Sequence, residues 1–156
     1  MKMDAWWVYQ TNDSKTWAYD KPSLNAEGMP PNEIPNENYP STPFVWDLYG
    51  GVGGGPMLVF DSENVALPSF EAEVMWGSGV PSKSAAARTA IGTGIPHTLS
   101  LTTEQLLLII VDGSEDATGI SLGDLSEEFL KLGARKACNL DGGGSTELAV
   151  NGALTN

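Results

Sequence analysis

A polar loop built on one aspartate is the part of this sequence best suited to chemistry. Residues 139–146 read Asn-Leu-Asp-Gly-Gly-Gly-Ser-Thr, with Asp141 as their only carboxylate. Successive glycines let the backbone adopt positive φ angles and approach a ligand closely, and consecutive amides in such a loop can bind an anion. The same residues also suit a hairpin turn in which Asp141 accepts local amide hydrogen bonds. The spacing alone supports a functional loop and a structural turn about equally.

A second aspartate, Asp112, follows the longest apolar run of the chain, residues 106–111. Such a run predicts a buried strand, and an aspartate directly after a strand more often initiates a turn than carries chemistry. Two strand-end aspartates are nevertheless the minimum for glycosyl chemistry, in which one carboxyl is the acid and the other a base or nucleophile. Their separation distinguishes retaining from inverting reactions, and the sequence leaves that choice open.

Arg88 is one of two arginines in the chain, the other being Arg135. A guanidinium is the side chain best shaped for two-point recognition of a phosphate or a carboxylate. An ion pair with one of the 20 acidic residues is the competing interpretation. Arg88 is therefore a candidate anion ligand, with a structural ion pair as the alternative.

Two other features of the sequence give weaker indications of function. Residues 53–56, Gly-Gly-Gly-Pro, lack the Gly-Lys-Ser/Thr of a P-loop and the third glycine of a dinucleotide-binding fingerprint. The single histidine, His97, lies in a turn-like segment. This position disfavours a Ser-His-Asp triad and a histidine-based zinc site.

The charge balance restricts the partners of the protein. Eight basic residues against 20 acidic ones give a net charge of −12, and no run of Lys and Arg occurs. A field of that sign repels a phosphate backbone, so we expect no nucleic-acid partner. We expect no transmembrane segment, because the longest apolar run is too short to cross a bilayer. The N-terminal residues lack the apolar core of a signal peptide, and the single cysteine, Cys138, excludes an internal disulfide.

Composition divides the chain near residue 49. Residues 1–49 contain six of the ten prolines and four of the five tryptophans. The proline-rich stretch cannot form a regular element, and we interpret this region as a surface loop or N-terminal strap, or as a partial domain start. Its tryptophans predict that it packs onto the remainder of the chain. Residues 50–156 are the predicted core.

The core is predicted to be a single α+β domain with a mainly antiparallel sheet and one or a few packed helices. Its clearest helix begins after Ser121, a suitable N-cap with Asp124 three residues on, and ends before Gly133, which suits the left-handed position there. Apolar residues at helical spacing give this helix one buried face. Short strands are predicted at residues 57–60, 87–92, 106–111, 137–140 and 147–150. The second and third could pair in antiparallel fashion across the connection 93–105.

Taken in order, five short blocks of the core resemble the phosphodiester glycosidase family. They are Gly-Gly-Gly-Pro-Met-Leu-Val (53–59), Ala-Arg-Thr-Ala-Ile-Gly (87–92), Leu-Ile-Ile-Val-Asp-Gly (108–113), Gly-Ile-Ser-Leu-Gly-Asp-Leu-Ser-Glu (119–127) and Ala-Cys-Asn-Leu-Asp-Gly-Gly-Gly-Ser-Thr (137–146). Their order and spacing are specific, and the resemblance covers residues 50–152. It implies a hydrolase that cleaves the anomeric bond of a sugar-1-phosphodiester and releases the sugar from a phosphorylated glycan or envelope polymer. It also implies an exported or envelope-associated bacterial protein.

The resemblance further implies roles for the candidate residues. Asp112 and Asp141 would supply the catalytic carboxylates, and Arg88 would hold the phosphate. Binding of phosphate or sugar hydroxyls would fall to Thr89, Asn139, Gly142, Gly143, Gly144, Ser145 and Thr146. This division suits the chemistry, because an oxocarbenium-like transition state favours a carboxylate and a departing phosphate favours arginine and amides. No cofactor and no resident metal are expected.

Two features depart from the family pattern. Relatives begin with a strand and an Asn-Gly-rich segment, for which residues 1–49 offer no equivalent. Relatives also continue beyond the turn at Asn151-Gly152. We therefore expect the family domain to extend beyond both ends of this sequence.

Two other functions stay open. The acidic composition and the tryptophans are compatible with a non-catalytic module that binds carbohydrates or phosphosugars. A divalent-metal-assisted phosphodiesterase could use Asp112, Asp141 and Asn139 as oxygen ligands.

Overall fold

A five-stranded antiparallel sheet carries the candidate residues. The computed structural model describes residues 3–12, 15–22, 44–73, 75–96, 102–114 and 117–155. The strands in these ranges are β1 (Trp7–Asn12), β2 (Lys15–Tyr19), β3 (Phe44–Trp46), β4 (Met57–Phe60), β5 (Glu63–Asn64), β6 (Arg88–Gly94), β7 (Gln105–Val111), β8 (Ala134–Asn139), β9 (Leu148–Val150) and β10 (Ala153–Thr155). The helices there are α1 (Ala66–Ala72) and α2 (Leu122–Lys131), with 3₁₀ turns at Met75–Gly77 and Gly143–Ser145. These elements confirm the α+β class.

The order of strands in the main sheet is β5-β4-β8-β6-β7, and all neighbours are antiparallel. In antiparallel neighbours the start of one strand lies beside the end of the next. The start of β4, the end of β8, the start of β6 and the end of β7 therefore meet at one end of the sheet, which we call the loop end. All candidate residues lie on or shortly after these strand termini.

β6 joins the two strands that lead to the aspartates, because it pairs with β7 on one side and with β8 on the other. Arg88 lies opposite Val111 of β7, and Ala90 lies opposite Asn139 of β8. This register confirms the predicted antiparallel pairing across the connection 93–105. The predicted bounds of these strands differ from the observed ones by up to three residues. The prediction that residues 106–111 form a buried strand was wrong in its burial, because β7 is an edge strand and Leu106 and Leu108 are 55% and 56% exposed.

Helix α2 covers one face of the sheet, as its apolar spacing predicted. Leu122, Leu125 and Phe129 are fully buried in the core cluster. The Ser121 hydroxyl accepts a 3.1 Å hydrogen bond from the Asp124 amide, and Gly133 has a φ of 87°. Both ends of the helix are therefore as predicted. Within the described ranges, no helix combines the length and apolar character that crossing a membrane requires.

The first helix, α1, was not predicted. It has seven residues, and Pro68 lies in its first turn, where the missing amide hydrogen costs no helical bond. So short a segment shows little of the 3.6-residue periodicity, and its proline indicated a turn.

The N-terminal region is more regular than expected. Strands β1, β2 and β3 form a three-stranded antiparallel sheet, where the sequence suggested a loop or strap. Polar residues in β1 and β2 weaken the alternation that would have indicated strands. Residues 23–43, which contain five of the prolines, lie outside the described residues, and so does His97.

Residues 4–7 pack against the face of the main sheet opposite α2. The rings of Trp6 and Trp7 lie 5.7 and 5.0 Å from that of Phe60. Lys136 is fully buried there, with its ammonium 3.1 Å from the Asp4 carboxylate and over the Trp6 ring. A buried ammonium is stable only with such partners. This contact confirms that N-terminal tryptophans pack onto the core.

Replacement of Ser121 by Ala tests the cap of α2. The change removes the acceptor for the Asp124 amide, so we expect the free energy of unfolding to fall by about 1 kcal/mol. Urea unfolding followed by circular dichroism measures it. Ser114→Ala, at an exposed position outside the helices, is the matched control and should change the value by less than about 0.5 kcal/mol. An equal loss in both variants would contradict the cap.

Candidate functional site

The loops that carry the two aspartates meet at Ala87, the residue before β6. The Gly143 amide donates to the Ala87 carbonyl at 3.0 Å. On the other side, a Cβ added to Gly113 would lie 2.6 Å from the Ala87 nitrogen, and one added to Gly142 would lie 2.8 Å from its oxygen. Both contacts are closer than a side chain allows. Glycine therefore brings both loops against the same residue.

Asp112 and Asp141 are exposed and have the same local geometry. The carboxylate of Asp112 accepts a 2.7 Å bond from the Gly113 amide, and that of Asp141 accepts a 2.9 Å bond from the Gly142 amide. Their strands, β7 and β8, are separated by β6, so the backbones lie about 10 Å apart at ordinary strand spacing. The described residues contain no group of three or more His, Cys, Asp or Glu side chains placed to hold a metal ion.

The amides of the glycine loop are largely engaged in its own fold. Gly142 bonds to Asp141 and Gly143 bonds to Ala87. The amides of Ser145 and Thr146 donate to the carbonyls of Gly142 and Gly143 at 3.2 and 3.1 Å. Gly143 has a φ of 59°, as expected for a tight turn. The loop thus differs from the expected row of amides open to an anion, although Gly143 and Gly144 border open space.

Arg88 is buried, with 2% of its surface exposed. Its Nε donates to the carbonyl of Ile120 at 3.2 Å, and Nη2 donates to those of Pro81 at 2.6 Å and Ser84 at 3.4 Å. Within the described residues it forms no ion pair, so the competing interpretation from the sequence is not observed there. Burial lowers the pKa of the guanidinium below its usual value. Arg88 therefore holds a positive charge that carbonyl dipoles solvate and no described carboxylate neutralises.

Arg88 and Thr89 lie on opposite faces of the sheet, because successive side chains of a strand alternate. Arg88 shares its face with Ala90, which lies opposite Asn139. The structure therefore brings Arg88 and Asn139 to the face covered by α2. Thr89 belongs to the other face, and its carbonyl accepts the Leu140 amide at 2.8 Å.

Asn139 is held by the turn that precedes β4. Its backbone amide donates to the Pro56 carbonyl at 3.0 Å, and its carbonyl accepts from the Gly55 amide at 2.7 Å. Its side-chain Nδ2 donates to the carbonyls of Gly55 and Leu140 at 3.1 and 2.6 Å. The Gly55-Pro56 peptide is cis. This turn belongs to the Gly-Gly-Gly-Pro motif, which looked weak in the sequence and here is part of the site.

Within the described part of the chain, two buried oxygens of the candidate residues make no hydrogen bond. Asn139 is 1% exposed, and its Oδ1 makes no hydrogen bond among the described residues. The hydroxyl of Thr146 is buried and likewise unbonded in this part of the chain. Buried polar atoms are normally bonded, and an exception indicates a ligand or a water. These two oxygens are therefore the strongest binding signal at the loop end.

Glu73, which directly follows α1, is a carboxylate that the sequence analysis missed. Its Oε1 accepts from the Met57 amide at 3.0 Å and from the Trp7 indole at 2.8 Å. Burial raises the pKa of Glu73, and these two donors partly offset the effect. Its sequence context gave no signal, because its partners lie 16 and 66 residues away.

Comparison with known proteins defines the class. The family model for phosphodiester glycosidases matches residues 10–156. The chain therefore belongs to the phosphodiester glycosidase family, which confirms the resemblance seen in the five blocks. The match also includes much of the N-terminal region, which the blocks did not cover.

Particular relatives share only part of their length with this chain. The N-acetylglucosamine-1-phosphodiester alpha-N-acetylglucosaminidases of Bos taurus and Homo sapiens are each 41% identical over 68 residues. Those residues cover 44% of this chain and 12% of either relative. The chain thus spans about an eighth of the length of these curated relatives.

Solved structures likewise match this chain over only part of their own length. The catalytic domain of the zebrafish N-acetylglucosamine-1-phosphodiester alpha-N-acetylglucosaminidase, auto-inhibited by its pro-peptide, matches with a TM-score of 0.52 and 26% identity. The match covers 67% of this chain and 34% of that chain. A hypothetical protein from Synechocystis matches with a TM-score of 0.54 and 24% identity, over 82% of this chain and 24% of that one. At that identity the similarity shows the fold alone.

Replacement of Gly142 by Ala tests the contact that unites the loops. The new methyl group would meet the Ala87 carbonyl at 2.8 Å, so we expect the loop to shift and the unfolding temperature to fall by several degrees. Gly144→Ala is the matched control, because nothing lies within 4 Å of its added Cβ. Differential scanning fluorimetry of both variants measures the effect. Equal unfolding temperatures would show that the loops do not depend on the contact.

The thiol of Cys138 provides a pH test of burial at β8. Burial, with the nearby Glu73 charge as a second cause, raises the pKa of Cys138 to about 11. The thiolate is the reactive form, so we expect almost no alkylation of the native protein at pH 8 and a rate that rises toward pH 11. Iodoacetamide labelling followed by mass spectrometry measures it, with the unfolded protein as control. Equal labelling of native and unfolded protein at pH 8 would contradict the burial.

Proposed function

We propose that this domain acts in a hydrolase that cleaves the anomeric bond of a sugar-1-phosphodiester. The observation that carries the proposal is the meeting of both aspartate loops at Ala87, directly before the buried Arg88, whose charge no described carboxylate neutralises. Family membership supports the reaction class. The names of the bovine and human relatives support an N-acetylglucosamine-1-phosphodiester as the first substrate to test.

In the proposed reaction, water attacks the anomeric carbon. Its oxygen bonds to C1 while the bond from C1 to the phosphate oxygen breaks, and the bonding electron pair leaves with the phosphate. One aspartate accepts the proton of the water, and carboxylate charge stabilises the oxocarbenium-like sugar in the transition state. The products are the free sugar and a phosphomonoester.

Arg88 contributes to this reaction mainly through its charge. Three carbonyls already occupy hydrogen-bond donors on Nε and Nη2, but carbonyls do not neutralise a cation. In a partly buried site such a charge acts over several ångströms. It would therefore stabilise the negative charge that develops on the departing phosphate.

A phosphosugar-binding module without turnover is the second candidate. The spacing of the aspartate strands favours it, because about 10 Å between the backbones is at or beyond the range of about 5–9.5 Å for the carboxyl pairs of glycosidases. Catalysis by both residues would require their side chains to incline toward each other across β6.

Hydrolysis of N-acetylglucosamine 1-(methyl phosphate) distinguishes the candidates. We expect the protein to release N-acetylglucosamine and Asp141→Asn to lower kcat/KM at least about a hundredfold, as for loss of an acid–base group. Asp20→Asn, at an exposed position after β2, is the matched control and should leave the rate unchanged. Liquid chromatography of the released sugar measures it.

Each other outcome has a defined meaning. Unchanged release by the Asp141 variant would remove this residue from the mechanism. Calorimetric binding of the same compound without release would favour the binding module. If the protein neither binds the compound nor releases its sugar, both candidates are refuted for this substrate.

A further inference from the structure

Glu73 lies against both sides of the turn that holds Asn139. Its Oε1 accepts the amide of Met57, the residue directly after the turn. Its Oε2 would lie 3.1 Å from a Cβ added to Gly55, the residue directly before the proline. The Glu73 carboxylate therefore contacts residues 55–57 on one side of the turn. Asn139 of β8 forms hydrogen bonds with the same turn.

The amide of Met57 has a specific need for this carboxylate. The pairing of β4 with β8 is irregular between Met57 and Val59, so the ladder is disturbed at the first residue of β4. An unpaired amide at a buried position costs free energy. Glu73 supplies the acceptor, and a charged acceptor bonds more strongly than a neutral one.

The turn transmits this support to Asn139. Three hydrogen bonds join Gly55 and Pro56 to Asn139, including the bond from Nδ2 to the Gly55 carbonyl. Because Nδ2 is held by carbonyls, the opposite atom of the amide, Oδ1, has a fixed direction. That oxygen is the buried acceptor without a partner among the described residues.

We propose that Glu73 is a positioning residue of the site, which holds the cis turn at residues 55–57 and thereby aims Asn139 Oδ1 at a hydroxyl of the bound sugar. The inference rests on the proposed function for its ligand and on the hydrogen bonds above for its geometry. Glu73 itself does not touch the reacting atoms. Its effect should therefore appear in substrate binding more than in turnover.

The burial of Glu73 argues against a merely stabilising role. Burial raises the pKa of this carboxyl, which means that keeping it ionised at neutral pH lowers the stability of the fold. Its charge also raises the pKa of the Cys138 thiol of β8. Glutamine, a neutral acceptor of the same shape, would bond to Met57 without that cost. The Glu73→Gln variant therefore separates the role of shape from that of charge.

Three variants test the inference. Glu73→Ala removes the acceptor, and Glu73→Gln keeps an acceptor without the charge. Glu71→Ala is the matched control, because Glu71 is also a glutamate near the end of α1 that bonds a tryptophan indole, that of Trp76 at 2.6 Å, but has no contact with the turn among those described. Amide hydrogen exchange at Gly55 and Asn139 by NMR reports the turn, since neither amide bonds to Glu73 itself. KM and kcat for the methyl phosphodiester report the site.

For Glu73→Ala we expect exchange at Gly55 and Asn139 to accelerate about tenfold and KM to rise about tenfold, with a smaller change in kcat, as for loss of one charged hydrogen bond. Glu73→Gln should recover most of both values, and Glu71→Ala should match the wild type. Wild-type exchange at both amides in Glu73→Ala would overturn the inference. The same acceleration in Glu71→Ala would also overturn it, because the effect would then be a general loosening of α1.

The exchange experiment needs no substrate. If the wild-type protein neither binds nor hydrolyses the diester, the proposed function fails, while exchange still decides whether Glu73 holds Asn139. If exchange changes as expected and KM does not, Asn139 does not contact the sugar and the inference is wrong in its second part.

Discussion

Close backbone contact at the start of β6 is the constraint on which the loop end depends. Added Cβ atoms on Gly113 and Gly142 would lie 2.6 and 2.8 Å from backbone atoms of Ala87, and one on Gly119 would lie 2.2 Å from those of Ala86. Three separate loops reach this point because they carry glycine where they touch it. The candidate aspartates directly precede Gly113 and Gly142, and the candidate arginine directly follows Ala87. Their relative positions are therefore set by backbone packing.

The same packing explains how an acidic chain keeps a cation available. With 20 acidic residues against 8 basic ones, a buried arginine would be expected to pair with a carboxylate. Arg88 instead donates to the carbonyls of Ile120, Pro81 and Ser84. Carbonyl acceptors in several directions suit the fork of a guanidinium better than the single ammonium of a lysine. Its Nε and Nη2 donors are thus bonded to carbonyls, which do not neutralise its charge.

The sequence predicted what depends on local signals. The cap at Ser121, the glycine at 133 and the apolar run of β7 each lie within a few residues of the element they define, and each element formed where predicted. The burial predicted for β7 depends on its place at the edge of the sheet, which no local signal gives. The Met57–Glu73 and Trp7–Glu73 bonds join residues 16 and 66 positions apart, and no periodicity or turn rule indicates them. The bond from Arg88 to the carbonyl of Ile120, 32 residues away, was missed for the same reason. Sequence therefore identified the loops of the site but not the contacts that hold them.

The hydrogen-bond polarity of the site separates the two halves of the proposed ligand. Four amides of the glycine loop already donate to protein acceptors, so phosphate recognition in the proposed function would fall to Arg88 and to hydroxyls such as that of Thr146, which can donate. Asn139 Oδ1 can only accept. A phosphodiester anion carries no hydrogen to give, whereas each sugar hydroxyl does. The Oδ1 of Asn139, which has no partner among the described residues, would therefore suit the sugar of the proposed ligand, and Arg88 would be left for its phosphate.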